Sequence, residues 1–253
     1  MVELHEDEDD TFSILSIDPG TSTLGFCVIK LKIETLEIVS IFAWTVDATR
    51  LAFYKDEIIA IHGEKFARII SHKRNLEQVL RFYDPVFVVC ETPFFNRLRP
   101  SAGGPLYELY ATIEQTVFEW DRYKPLYGID PRTVKKGVKA QGNKKPDMLE
   151  AMRKIPELSC AGLDLLDEHA IDSVAVGYHK VLELRKRKDT CKNDRQDKTD
   201  TGVADNGNTT AGTGVLQVLV RTRTIKATRT RSKRRNRYSS TVKQKSKRRH
   251  SIL

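Results

Sequence analysis

The chain has 253 residues, 40% of them apolar, enough for one sizeable core or two small ones. Its formal charge of +9 is unevenly spread: Arg185–Leu253 carries 21 Lys and Arg against five Asp, so a tail of +16 follows a body of −7, which points to a polyanionic partner. The opening ten residues hold six acidic ones rather than a basic leader, no apolar run nears the roughly 20 residues of a membrane helix, and Cys27, Cys90, Cys160 and Cys191 lack paired metal spacing. These features argue against secretion, membrane insertion and a cysteine-bound metal, and for an intracellular chain with free thiols.

Residues 1–11 read as a short acidic, disordered lead. Three apolar runs follow, Phe12 to Asp18, Gly25 to Leu31 and Leu36 to Thr45, with tight links that predict an antiparallel meander. The period then changes. Phe66, Ile69, Ile70, Leu76, Val79 and Leu80 fall on one helical stripe. After Pro85, the run Val86 to Cys90 is apolar on both faces, as in a buried central strand. Residues 104–123 read as a helix, 126–129 as a short strand, and 132–138, 145–155 and 165–186 as helices. The order is a mixed sheet flanked by helices. Beyond 186 the pattern dissolves into a polar linker, with Val215 to Val220 as a lone strand, and then a basic Ser/Thr-rich tail.

Several charged residues stand where charge is costly. Asp18 closes the first strand before Pro19-Gly20; alone, it reads more plainly as a turn Asp. Glu91 follows five apolar residues, where a carboxylate needs a partner, a metal or the sheet's edge. Asp167 to Asp172 opens the last helix, with Asp167 as its N-cap. His169 and Asp172 share a face at i, i+3, and Glu168 and Asp172 offer a rival pair at i, i+4; an acidic first turn favoured by the helix dipole is the plainer reading. Ser173, Ala175 and Gly177 are small enough for this helix to lie close on a sheet. Together, two strand-end carboxylates and a His/Asp pair make an oxygen-rich set with one imidazole, suited to Mg²⁺ or Mn²⁺.

Four segments resemble RuvC-type Holliday junction resolvases, in family order over roughly residues 12–182. Ile17-Asp18-Pro19-Gly20-Thr21 followed by Gly25 resembles the opening strand. Glu91-Thr92-Pro93-Phe94-Phe95-Asn96-Arg97 resembles the second motif, Gly142-Asn143-Lys144-Lys145 a segment near the DNA, and His169-Ala170-Ile171-Asp172-Ser173 the last motif. The resemblance implies an RNase H-like α/β fold within residues 12–186: a five-stranded mixed sheet, three antiparallel strands then two parallel, flanked by helices, with 187–253 as linker and basic tail.

It further implies that Asp18, Glu91, His169 and Asp172 are catalytic metal ligands for two Mg²⁺ or Mn²⁺ ions, Asp18 bridging, with Glu168 as substitute if the helix is rotated. Phe94 would be a stacking wedge at the junction centre. Asn96, Arg97, Arg99, Asn143, Lys144 and Lys145 would contact nucleic acid. No small-molecule cofactor is implied. The expected activity is resolution of branched DNA by a homodimer, in the cytoplasm or, if the basic clusters are an address, the nucleus. Residues 104–123 offer a dimer helix as well as plain core. A nuclease for flaps, forks or RNA–DNA hybrids, or a silent junction-binding protein, is the alternative. A compact core with this tail fits a viral or phage source. Ser173 and Gly177 depart from the family's usual Ala, Pro93 precedes the wedge, and segment 46–63 is longer than the family core needs.

Overall fold

The structure, a computed structural model, describes residues 10–93, 100–140 and 145–200. The first three apolar runs form β1 (Thr11–Pro19), β2 (Thr23–Lys32) and β3 (Ile38–Asp47), each antiparallel to the next. β4 (Phe87–Glu91) and β5 (Leu126–Ile129) join in parallel, giving the order β3-β2-β1-β4-β5. This is the expected five-stranded mixed sheet. β1 and β4 lie inside it and are covered on both faces. Their near-continuous apolar composition follows from that position.

Helices cover the two faces: α1 (Asp56–His62), α2 (Glu64–Tyr83), α3 (Pro100–Trp120), α4 (Pro131–Gly137), α5 (Lys145–Arg153) and α6 (Glu168–Asp200). On one face Leu15, Ile17, Phe26, Val88 and Cys90 meet Leu76 and Leu80 of α2 and Leu109, Ile113 and Val117 of α3. Burying each large apolar side chain contributes about 1.5–3 kcal/mol, so this layer holds the sheet flat against two helices. The α3 stripe is therefore core on this side, while Tyr107 and Phe118 remain exposed on the other. α2 stops at Asp84, which adopts a left-handed φ of 41° and is followed by Pro85.

α6 covers the opposite face, and small residues set how closely it lies. A Cβ on Gly177 would fall 2.5 Å from Ser16 Oγ, and one on Gly25 would fall 2.0 Å from the carbonyl oxygen of His169. Ser16 Oγ donates to the Ser173 carbonyl at 2.8 Å, tying strand to helix inside the core. Ser173, the departure from Ala, satisfies its own buried hydroxyl by donating to the Ala170 carbonyl at 2.7 Å.

Two expectations are corrected, and a segment left without an assigned element gains one. The last helix does not end at 186 but runs 33 residues to Asp200. The polar stretch after Arg185 lacks Gly and Pro until Gly202, so nothing in it stops a helix already nucleated on the sheet. Segment 46–63 contains a 3-10 turn at Ala48–Arg50 and the unforeseen α1, which buries none of its side chains. The first strand begins at Thr11, inside the acidic lead. No helix among the described residues is long and apolar enough to cross a membrane.

Candidate functional site

The register of β1 against β4 builds the site. The two strands are parallel, with Ile17 opposite Cys90. Asp18 and Glu91 are the next residues on these adjoining strands. Ile17 and Cys90 face the α2/α3 layer, so alternation turns Asp18 and Glu91 to the α6 face.

α6 supplies the rest. Its first turn is fixed by Asp167, whose Oδ1 accepts from the Ala170 backbone N–H at 3.0 Å and from the Thr45 hydroxyl of β3. With the helix start pinned there and Gly25 admitting the backbone of His169, the imidazole is brought to Asp18. His169 Nδ1 lies 2.8 Å from Asp18 Oδ2. The carboxylate can only accept, so Nδ1 carries the proton and Nε2 is the free nitrogen of the ring. Asp172, one turn along α6, faces the same cluster.

The electrostatics show how crowded this end of the sheet is. Burial, then the charges of Asp18 and Asp172, push Glu91 up to about 8; Lys135 of α4 pulls the other way. Burial, then Asp18 and Glu168, push Asp172 up to about 6, against His169 and again Lys135. The hydrogen bond to Asp18 holds His169 above the usual imidazole range, reinforced by the charges of Asp18, Glu168 and Asp167 and opposed by desolvation. Each of these side chains acts on at least one other, so they form a single electrostatic unit.

The structure thus gathers Asp18, Glu91, His169 and Asp172 at one place, with Glu168 within electrostatic reach. As donors, three carboxylates and an imidazole fit a hard divalent cation. The side chains are not at ion-holding spacing: among the described residues no group of three or more His, Cys, Asp and Glu could hold a metal as they stand. Asp18 is engaged with His169, and the remaining carboxylates repel one another.

Phe94, Asn96, Arg97, Arg99, Asn143 and Lys144 lie outside the described residues, as does the tail from residue 201; Lys145 is the first residue of α5. The sequence reading missed Lys135 and Asp130. Asp130 accepts from Thr133 N–H at 3.1 Å and so caps α4, directly after the strand residue paired with Glu91. The Asp-Pro pair before a short helix is the signal that would have marked it.

No protein-family model matches the chain, and no curated protein matches it. Solved structures do. RuvC of Thermus thermophilus superposes with a TM-score of 0.52 at 19% identity, over 69% of this chain and 96% of that one. The same protein in complex with a Holliday junction substrate gives 0.50 at 19% identity over the same shares. The yeast mitochondrial Holliday junction resolvase Ydc2 gives 0.50 at 13% identity, over 71% of this chain and 83% of that one. At such identities the likeness speaks to architecture, and the architecture is the RuvC version of the RNase H-like fold.

Proposed function

We propose that this chain is a divalent-metal-dependent endonuclease that resolves four-way DNA junctions by paired nicks. The observation that carries the reading is the meeting of Asp18, Glu91, Asp172 and His169 at one end of the sheet. A fold shared with RuvC, a protein solved in complex with a Holliday junction, supports it.

Divalent ions bound there would favour deprotonation of the attacking water and stabilise charge on the leaving oxygen. Asp18, Glu91 and Asp172 would hold them, with His169 as nitrogen donor and Glu168 as substitute. Asp18 orients the imidazole by accepting a hydrogen bond from Nδ1–H, which leaves Nε2 without that proton as the nitrogen able to donate to an ion. β1 and β4 carry two of the carboxylates just past their last mutual pair, at the end of adjoining strands inside the sheet, a setting that suits precise positioning of a scissile phosphate.

The remaining roles rest on the sequence resemblance. Phe94 stacks at the junction centre, and Asn96, Arg97, Arg99, Asn143, Lys144 and Lys145 contact nucleic acid. Two chains present two sites to opposed strands, and the exposed side of α3, with Tyr107 and Phe118, is available to a second copy. The basic tail adds salt-sensitive phosphate affinity, and the protein acts in the cytoplasm.

Asp18→Asn and Glu91→Gln test the reading. Each should lower junction cleavage in Mg²⁺ or Mn²⁺ by roughly a thousandfold or more, the scale for losing a central charge-stabilising group. Junction binding in gel shift should persist. Cleavage at an undiminished rate by either variant would remove the carboxylates from the chemistry.

A further inference from the structure

Strands β3, β2, β1 and β4 carry one transverse row of residues that turn to the α6 face. Asp18 pairs with Gly25, Gly25 pairs with Thr45, and Glu91 follows the Cys90 that pairs with Ile17. Their chain neighbours belong to the α2/α3 layer: Ile17, Leu24, Phe26 and Cys90 lie inside it, and Trp44 and Val46 pack against it. Alternation along each strand therefore sends Thr45 to the same side as Asp18 and Glu91. Thr45 stands on the edge strand, at the far end of this row, and no charge or motif marks it in the sequence.

The first turn of α6 is laid across the row. His169 Nδ1 lies 2.8 Å from Asp18 Oδ2, and the His169 backbone presses on β2 so closely that a Cβ on Gly25 would fall 2.0 Å from its carbonyl oxygen. At the other end the Thr45 hydroxyl donates to Asp167 Oδ1. Asp167 also accepts from within the helix, at its side chain from the Ala170 N–H and at its carbonyl from the Ile171 N–H, both at 3.0 Å. Those two bonds hold the turn together without placing it on the sheet. Ser16 places the following turn through the Ser173 carbonyl, and Thr45 places the first from a different strand. An arm held at two separated points has a fixed direction, whereas one held at a single point can roll. Thr45 itself is on secured backbone: beyond it, the Ala48 N–H donates at 2.9 Å to the carbonyl of Ser22, in the turn that follows Asp18.

We propose that Thr45 is a positioning residue of the acidic centre: by holding Asp167 from the edge strand it fixes the approach of α6 that sets His169 on Asp18, with Asp172 one turn behind, and so governs how tightly the centre takes a divalent ion. The inference rests on the nuclease reading only for the identity of that ion. Thr45 acts through Asp167 and the helix start rather than by touching the ion.

The test is Mn²⁺ binding by calorimetry on the full chain, at a temperature where melting in EDTA shows every variant folded. Thr45→Val keeps the branched shape and removes the hydroxyl. It should weaken Mn²⁺ binding on the order of tenfold, the lower end of what losing a group that orients a metal-holding side chain costs. Thr45→Ser restores the donor and should bind like the unaltered protein. In an Asp167→Ala background Thr45→Val should add no further loss, because its partner is already gone. Thr112→Val removes an α3 hydroxyl that donates to the Glu108 carbonyl, and should leave Mn²⁺ binding unchanged. Unaltered Mn²⁺ affinity in Thr45→Val overturns the inference, and a lowered melting point beside it assigns Thr45 to stability alone. A loss shared by Thr45→Ser, or one of full size in the Asp167→Ala background, overturns it as well. So does an unaltered chain that binds no Mn²⁺. A protein that shows the Thr45 dependence but cuts no junction keeps the inference and loses the nuclease reading. One that cuts junctions with Mn²⁺ affinity indifferent to Thr45 does the reverse.

Discussion

At the end of β1 the Asp18 carboxylate has two neighbours of opposite electrical sense: the His169 imidazole at 2.8 Å and the Glu91 carboxylate on the adjoining strand. The first attracts and the second repels. A different histidine, His72 of α2, shows what the fold does to an imidazole without such a partner. It is 1% exposed, and burial pushes it down to about 4, against smaller upward pulls from the Thr21 backbone and the charge of Asp47. Its folded pKa lies below the ordinary 6.5, so the unfolded chain takes up the proton first as the pH falls. The neutral imidazole is harmless above pH 6.5, and stability is lost progressively between 6.5 and about 4, by about 3 kcal/mol in total. Denaturant midpoints measured from pH 7 to pH 4 should fall more steeply for the unaltered protein than for His72→Gln. Parallel pH dependences would assign the acid sensitivity to other groups.

Legibility at this scale was uneven. Asp18 and Glu91 stood out because an apolar run ending in a carboxylate is an expensive arrangement that invites a reason. Their adjacency was not readable from the residues themselves. It depends on β1 pairing in parallel with β4 across a long sequence interval, and only the family resemblance supplied that. Lys135 was hidden because its neighbours Val134 and Val138 account for the helix, leaving a lysine beside them to pass as solvated.

At the scale of elements, the decisive contact is α6 on the sheet. Gly25 and Gly177 are the positions where β2 and α6 need the absence of a side chain. Gly25→Ala would drive a Cβ into the His169 carbonyl, a backbone group that can move only if the start of α6 moves. The substitution should cost about 3 kcal/mol or more in equilibrium unfolding. Gly104→Ala is the matched control: nothing lies within 4 Å of the added methyl. Removing a helical glycine there should instead stabilise by about 0.5–1 kcal/mol. Equal effects at the two sites would show that the close approach of α6 is not what Gly25 serves. The same contact explains which helices could be read in advance. α2 and α3 carry an apolar stripe because they cover the core, whereas α1 buries nothing and so leaves no period to detect. The outer half of α6 is similar. Arg187 pairs with Glu183 one turn earlier, and charges of this kind extend a helix without an apolar stripe.

For the whole molecule, the sequence and the structure divide the work differently. The antiparallel meander was legible because three apolar runs with short links form one almost by default, whereas the parallel addition of the two later strands came from the family resemblance. The basic tail was legible as charge and as nothing more. On the proposed reading, a mildly acidic body that brings its own acidic centre to DNA needs cations, from the solvent and from the chain, and the +16 from Arg185 to Leu253 meets part of that need. The central claim is that the four gathered side chains turn this fold into a junction-cutting enzyme. The most direct measurement incubates the full chain with a synthetic four-way junction, each strand end-labelled in turn, with Mg²⁺, with Mn²⁺ and with EDTA. Paired nicks at symmetry-related positions in opposed strands, dependent on the metal and faster on the junction than on flaps, forks or RNA–DNA hybrids, are predicted. A junction bound in EDTA but left intact with both metals would contradict the claim and leave a binding protein on a nuclease fold.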